Sequence, residues 1–574
     1  MTRALVALVA VACLGSAFHL QGQAATPFVD VTDASGLDFD SVYGSVDRSY
    51  VTDSGGSGAA WLDFDGDGRL DLALVNGLAG PSAQPYAATA AAQAGNALPG
   101  SLRADGSLPR GDLFRATGSG FAAVGRVSGF EPAAWANAAV VADVDNDGWP
   151  DVYVTTIGTN ILLRNNGDGT FSRANNGAED ERWSTGAAFV DWDLDGDLDL
   201  YVANYVDFDG AATATLGDGV CNFLGIEVFC GPMGLTGSRD AFYENRGTSF
   251  VPWDPPEVDP DANFGFAVLA IDCDGRSGQE IYVANDSNIN LLYRRGEEQV
   301  EDLSLFSGAG FSGSGREQAG MGISGADVDG DGDFDLLVSN FQHDYNTYYE
   351  NLGDCTFRDS SARVGLAADS YEYMAWATLF FDVDGDGDED AFVANGHLYP
   401  QLADRGLQEF AQPSQLFLNR LREDGDARFE QSHDVGSLGT PRSARSAAYG
   451  DFDGDADSDL VVTRIDGPPV LLRNDTARAH PALRLTLVGR SSSRLPLGAT
   501  VRVASGEVTQ YRELRQGEGY LGSNDTRMLI YLPGGRADEL EIIWPGGAST
   551  LLLEVGPGDL LIDETYGLRA RRER

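Results

Sequence analysis

The sequence predicts an all-β protein: a seven-bladed β-propeller followed by a small β-rich C-terminal domain. Three observations predict it. A nine-residue acidic motif recurs seven times along the 574 residues. Short β-branched or aromatic runs come directly after the copies. The start of the chain matches a strand that the last repeat lacks.

The motif is Asp-x-Asp-x-Asp-Gly-x-x-Asp. Complete copies stand at Asp63-Asp65-Asp67-Asp71, Asp143-Asp145-Asp147-Asp151, Asp191-Asp193-Asp195-Asp199, Asp327-Asp329-Asp331-Asp335 and Asp382-Asp384-Asp386-Asp390. Asp451-Asp453-Asp455-Asp459 has Ala456 in place of the Gly, and Asp272-Asp274-Glu280 has Arg276 in the third acidic slot. Carboxylates this dense repel one another without a counter-ion. Their spacing suits a hard cation with oxygen ligands, calcium before zinc or copper. The logic is that of the longer EF-hand loop. Carboxylates at positions 1, 3 and 5 approach the ion, a Gly at position 6 reverses the backbone, and positions 7 and 9 add oxygens. The spacing predicts ions at Asp63, Asp143, Asp191, Asp327 and Asp382 and none at Asp272, where Arg276 is expected to neutralise Asp272 and Asp274 instead. Ala456 weakens the seventh site.

The residues after the motif read as strand rather than helix: Leu72–Val75, Val152–Val154, Leu200–Val202, Ile281–Val283 and Leu336–Val338. A polar residue then ends each strand, as at Asn76, Asn204, Asn285, Asn340 and Asn395, with Thr156 and Arg464 as exceptions. An apolar pair comes next, from Leu113-Phe114 to Leu471-Leu472, usually with Asn or Gly after it. Several repeats continue as Gly-x-x-Phe, as at Gly247–Phe250. Repeated short strands with Gly-rich turns predict propeller blades, with a solenoid as the alternative. The last repeat stops near Asn474 without its final strand. Phe28-Val29-Asp30-Val31-Thr32 matches Phe357-Arg358-Asp359-Ser360-Ser361. The N-terminus is therefore expected to complete the last blade, which seals a ring and which a solenoid does not need. The Ala/Gly/Pro-rich stretch 77–110 reads as a long, partly disordered loop.

Lys and Arg number 39 against 88 Asp and Glu, a net charge of −49. This argues against a nucleic-acid partner. Residues 1–25 read as an export signal, with Arg3 before an apolar run and then small residues. That places the chain outside the cell or in the periplasm; lipid anchoring at Cys13 is the alternative. No other segment is apolar enough to span a membrane. Cys221 and Cys230 lie in one short inserted loop and are expected to form a disulfide. Cys273 and Cys355 either pair across blades or stay free. The domain boundaries read as 26–476 for the propeller, 480–566 for the second domain and 567–574 for a solvated basic tail.

The segment Asn160–Phe171, with the Asp loops, resembles FG-GAP/VCBS repeats, the propeller repeats also found in integrin alpha subunits. Cys230–Leu235, Gln318–Gly322, Asn340–Thr347 and Asn395-Gly396-His397 resemble the cartilage-acidic-protein-like group of secreted proteins. The resemblance implies an ASPIC/UnbV domain after the propeller. Leu497–Val503, Gly519–Ser523 and Ile542–Gly547 fit it, with alternating strands and Gly-rich turns. It implies no settled activity.

His343 and His397 lie just past strand-ending Asn residues and are expected at one end of the channel, either facing a ligand or packing loops. No nucleophile elbow accompanies them. Trp61, Trp135, Trp183 and Trp376 read as core rather than a sugar platform, and Arg110-Gly111-Asp112 reads as a chance tripeptide. The functional reading is a secreted calcium-binding module for an extracellular protein or polysaccharide. The alternative is a polymer-processing hydrolase or lyase using the channel. A catalytic metal needs an open coordination position, which loops built to saturate calcium do not provide.

Overall fold

A computed structural model describes residues 28–247, 249–296, 299–465 and 467–572. The signal segment and Cys13 lie outside the described residues. The chain from Phe28 to Asn474 forms seven four-stranded antiparallel units, the fourth and fifth joined into one eight-stranded sheet by pairing of Asp286 and Asn288 with Ala319 and Gln318. Blades 1 to 7 occupy residues 59–123, 136–174, 184–253, 265–302, 318–359, 375–432 and 444–474. The first strands of the blades, such as Ala136–Ala142 and Ala375–Phe381, are buried along their whole length. They pack side by side around the ring, and the first strand of blade 7 packs on that of blade 1. Closure leaves the β-propeller without an open end.

The seam is made as the repeat pattern predicts. Phe28–Asp30 is the fourth strand of blade 7 and pairs antiparallel with its third, Phe28 opposite Asn474 and Asp30 opposite Leu472. The Val31 amide then donates to the Leu471 carbonyl at 2.9 Å, and Phe28 is buried.

Two expectations need correction. The stretch 77–110 is ordered: it carries a helix, Pro85–Gln93, whose Ala88 and Ala92 are buried. Thr89 Oγ1 accepts from the Trp135 amide at 3.1 Å, and Gln93 Nε2 donates to the Thr159 carbonyl at 2.7 Å. Small side chains let this helix lie close on the blades, so a composition that suggests disorder serves packing. The end of the chain is not a frayed tail either. Gly567–Arg572 is a strand paired with Gly558–Asp563.

From Ala482 onward, two four-stranded sheets form the C-terminal domain; its strand Ala482–Val488 runs parallel to Gly558–Asp563. This domain covers the Asp-loop face and sends a loop, residues 516–524, down the channel. Gly519 exchanges backbone hydrogen bonds with Ile323 in blade 5 at 2.9 and 2.6 Å. Ser523 exchanges them with Ala59 and Trp61 in blade 1, both at 3.0 Å. The Ala139 amide in blade 2 donates to Leu521 O at 3.3 Å. Asn524 and Asp525 reach Tyr449 in blade 7, each at 3.0 Å. The Tyr520 ring stacks on Phe266 of blade 4 at 5.3 Å, lies 5.3 Å from Trp376 of blade 6, and its hydroxyl donates to Gly55 O at 3.1 Å. Two glycines make this approach possible. A Cβ at Gly58 would come within 2.0 Å of Leu521 O, and one at Gly522 within 2.7 Å of Ala447 O.

Candidate functional site: the Asp loops and the channel

Each Asp motif joins the first and second strands of its blade, so all seven loops face the C-terminal domain's side of the ring. The complete loops turn on two left-handed residues. At position 6, Gly68, Gly148, Gly196, Gly332 and Gly387 have φ between 85° and 97°. At position 4, Gly66, Gly330 and Gly385 share that region with Asn146 and Leu194. Ala456 in loop 7 takes the same conformation, φ 76°, and its amide still donates to Asp451 at 2.9 Å. The turn survives the loss of Gly and carries the strain of a Cβ at positive φ. In every complete loop the position-6 amide donates to the first Asp, as from Gly148 to Asp143 at 2.8 Å.

The ninth residue is a cross-brace as well as a candidate ligand. In loop 2, Asp151 Oδ2 accepts from the Val144 amide at 3.2 Å and Oδ1 from the Asn165 amide at 2.7 Å. Asp71, Asp199, Asp335, Asp390 and Asp459 do the same in their blades. The position-9 carboxylate thus ties its loop to the third strand; in loop 5, Asp335 Oδ2 also accepts from the Tyr348 hydroxyl at 2.7 Å. Burial, opposed by these amides and reinforced by neighbouring carboxylates, pushes Asp71, Asp151 and Asp199 up to about 8.

The Asn that ends the third strand was visible in the sequence, but its partner was not. Asn165, Asn245, Asn351, Asn419 and Asn474 each donate from Nδ2 to the position-2 carbonyl of the preceding blade's loop: Phe64, Val144, Cys273, Val328 and Val383, at 2.9 to 3.0 Å. These staples join neighbouring blades. Blades 1 and 4 have Ala116 and Arg295 in this slot.

The loops differ in what faces their carboxylates. In loops 3, 5 and 6, Asp191, Asp329 and Asp384 each hold a buried Oδ1 with no hydrogen-bond partner. Asp388, at position 7 of loop 6, holds another and was not anticipated as a donor. Burial and the adjacent carboxylates push Asp191 and Asp329 up to about 6 and Asp384 to about 7. In loop 1, Arg69 pairs with Asp67, and Arg115 with Asp65 at 2.7 Å. In loop 2, Arg164 pairs with Asp145, whose Oδ1 is bare. These three arginines are partly exposed.

Loops 4 and 7 meet cations of a different origin: in loop 4 an arginine stands in the third acidic slot and Arg294 of the third strand lies 3.4 Å from Asp274, and in loop 7 a buried arginine enters from the C-terminal domain. Arg276 pairs with Asp274 at 3.3 Å and with Asp354 across the blade boundary at 2.6 Å. It does not reach Asp272, contrary to expectation. Asp272 is pushed up to about 7 by burial and by Glu513 of the C-terminal domain. In loop 7, Arg484 from the C-terminal domain pairs with Asp451, its side chain 9% exposed. Asp457 Oδ1 is bare there, but the place opposite Asp451 is taken.

The channel is filled from both ends. The Cys221–Cys230 disulfide closes the hairpin of Cys221–Phe223 and Ile226–Val228. Its Phe223 ring packs on Phe341, His343, His397 and Tyr399. His343 and His397 therefore share one end, as expected, and His397 is buried. Its Nδ1 accepts from the Tyr399 amide at 2.9 Å, which leaves Nε2–H to donate to Gln342 Oε1 at 3.0 Å. His343 is half-exposed, 3.7 Å from Glu372. Cys273 and Cys355 form a disulfide between blades 4 and 5. Trp61, Trp135, Trp183 and Trp376 are core. Asp112 of the Arg-Gly-Asp tripeptide is held by the Leu113 and Gly125 amides at 2.8 and 2.9 Å, so it is not displayed.

Residues 143–202 and 327–393 match the FG-GAP-like repeat family, and residues 489–565 match the ASPIC and UnbV family. The chain carries FG-GAP-like repeats and an ASPIC/UnbV domain. Over 287 residues it is 24% identical to cartilage acidic protein 1 of Homo sapiens, covering 47% of this chain and 39% of that protein. The Mus musculus protein of that name matches at 24% over 277 residues, covering 47% and 40%. The matched part spans about two fifths of these relatives. Among solved structures, an Agrocybe aegerita lectin for non-reducing terminal N-acetylglucosamine aligns at 15% identity and TM-score 0.37, covering 66% of this chain and 94% of that one. The Dos1 propeller aligns at 10% identity and TM-score 0.33, covering 79% and 96%. Among the described residues no helix is long and apolar enough to cross a membrane.

Proposed function

We propose that this chain is a secreted, calcium-binding propeller that serves as an extracellular binding or adhesion module for protein or polysaccharide. One observation carries the calcium part: loops 3, 5 and 6 bring together carboxylates with bare buried oxygens, and among the described residues no arginine forms an ion pair with their motif Asp residues. Such an arrangement is costly unless a cation completes it. Asp191, Asp193 and Asp195, then Asp327, Asp329 and Asp331, then Asp382, Asp384, Asp386 and Asp388 would hold the ions. Bound calcium would supply positive charge that cancels the repulsion among these groups and fixes each turn. The chain's own part is already built: position-9 carboxylates hold each of these loops to its blade, and Asn staples hold loops 5 and 6 to the next blade.

Export fits the two disulfides, which persist in oxidising compartments. Binding on the outer surface is favoured over channel chemistry, because the ASPIC/UnbV loop and the disulfide-closed hairpin fill the channel. Thermal unfolding in calcium and in chelator tests the reading. Calcium should raise the melting temperature; a site held at about 100 times its Kd adds about 2.7 kcal/mol. Identical melting in metal-free and calcium-saturated protein would sink it.

A further inference from the structure

The two junctions that lack an Asn staple each hold a cavity. Where Ala116 occupies the slot, a cavity of about 410 Å³ opens beside Phe452 of loop 7. Where Arg295 occupies it, one of about 250 Å³ opens beside Trp192 of loop 3. The Arg295 side chain is exposed. The staple elsewhere joins a third strand to the preceding loop, so its loss lets neighbouring blades part.

We propose that the cleft between blades 3 and 4 binds one neutral pyranose unit of a polysaccharide; this rests on the reading of the chain as an extracellular binding module. The cleft wall is a run of aromatic rings. Trp192 meets Phe242 edge-on at 5.5 Å, and Phe242 lies 5.0 Å from Trp253. Trp253 is half-buried, so part of its ring faces the cleft. Polar groups of both kinds share the same cleft: the Glu244 carboxylate, the Arg295 guanidinium and the Gln299 amide. Glu244 also pairs with Arg246 at 3.1 Å, which leaves it able to accept further hydrogen bonds.

This chemistry selects among ligands. The apolar C–H face of a pyranose covers an aromatic ring while its hydroxyls need both donors and acceptors at the edge. A polyanion is repelled by a chain of net charge −49. The carboxylates of Asp193, Asp199 and Glu244 and the Arg295 guanidinium line the cleft together, so it offers acceptors and a donor to hydroxyls, and a neutral sugar avoids the polyanion's penalty.

The test titrates the full mature chain, loaded with calcium, with methyl glycosides of the common neutral hexoses and N-acetylhexosamines, read by saturation-transfer NMR and calorimetry. Two variants are measured alongside. Trp253→Ala removes a partly exposed ring. Arg295→Asn restores the staple residue, so its amide can donate to the Trp192 carbonyl and draw the blades together. At least one glycoside should bind the native chain, and both variants should weaken it by about tenfold or more. Arg295→Asn should do so while keeping or raising the melting temperature, which separates a closed cleft from a damaged fold. The proposal falls if no glycoside binds the native chain, or if both variants bind as the native chain does. Calcium-dependent melting without any sugar binding would remove the cleft's role and leave the calcium reading standing.

Discussion

Loops 3, 5, 6 and 7 share one turn, and loop 4 has a variant of it whose second left-handed residue is Gly278, but they solve its charge problem differently. The first three keep a space among their carboxylates, with bare buried oxygens on Asp191, Asp329 and Asp384. The other two carry an internal cation, Arg276 by substitution within the loop and Arg484 by docking of the C-terminal domain. Loops 1 and 2 fall between: they keep all their motif carboxylates but pair some of them with Arg69, Arg115 and Arg164, whereas in loop 4 the third acidic slot is itself the cation and in loop 7 the cation is buried. Persistence of the turn therefore does not imply persistence of the ion. The ring can keep a blade by replacing calcium with a guanidinium, and in loop 7 that replacement also fastens the second domain.

The largest effect should come from Arg484→Met. Removing one partner of a buried ion pair typically costs about 3–5 kcal/mol. Melting in chelator should drop accordingly. Calcium should restore part of the loss, because the emptied loop then resembles loop 6. A drop that calcium does not touch would mean that loop 7 cannot take an ion.

A control for the comparison stands at the far end of the channel. Burial, with Arg445 and His343 nearby, lowers His397 to about 4. Protonation would set Nδ1–H against the Tyr399 amide, donor against donor. Because the folded value lies below the unfolded one, this contribution is complete above about pH 6.5 and is lost as pH falls toward 4. His397→Asn should flatten the melting curve over that window in chelator and in calcium alike. If the native slope vanished on adding calcium, the slope would belong to the Asp loops instead.

In loop 6, Asp384→Asn should cost about 2 kcal/mol in calcium and much less in chelator, since its carboxylate matters chiefly with the ion present. The change should be read as the difference between the two melting temperatures. The smallest effect is a gain. Arg276→Asp restores the third acidic slot of loop 4, which keeps Ser277 and Glu280 where the complete loops have Gly and Asp, and should add one calcium per chain by equilibrium dialysis, with about 1 kcal/mol of calcium-dependent stability. An unchanged ion count would show that Glu513, which faces Asp272, governs the site.

The features legible in the sequence were local or periodic. The Asp spacing, the strands after it and the match between Phe28–Thr32 and Phe357–Ser361 are patterns within a few residues or copies of one pattern. The positive φ at position 6 could be read from Gly, whereas Leu194 in the same conformation at position 4 carried no such mark. The Asn staples were half legible: the residue recurs, but its partners lie 78 to 101 residues away. Arg484 looked like any strand arginine, and only docking brings it to Asp451. The channel plug was the least legible, because Tyr520 meets Gly55 across 465 residues and no periodicity connects them. Stretch 77–110 misled for a different reason, since small residues are both the mark of disorder and the means of close packing.

The most direct test of unequal loops is a crystal structure grown in calcium, with anomalous difference maps that count and place the ions. Strong peaks are expected in the loops of Asp191, Asp327 and Asp382, weaker ones at Asp63 and Asp143, and none at Asp272 or Asp451. A well-coordinated ion at Asp272 or Asp451, or vacant loops at Asp191, Asp327 and Asp382 in saturating calcium, would contradict the division between loops that hold an ion and loops that hold a guanidinium.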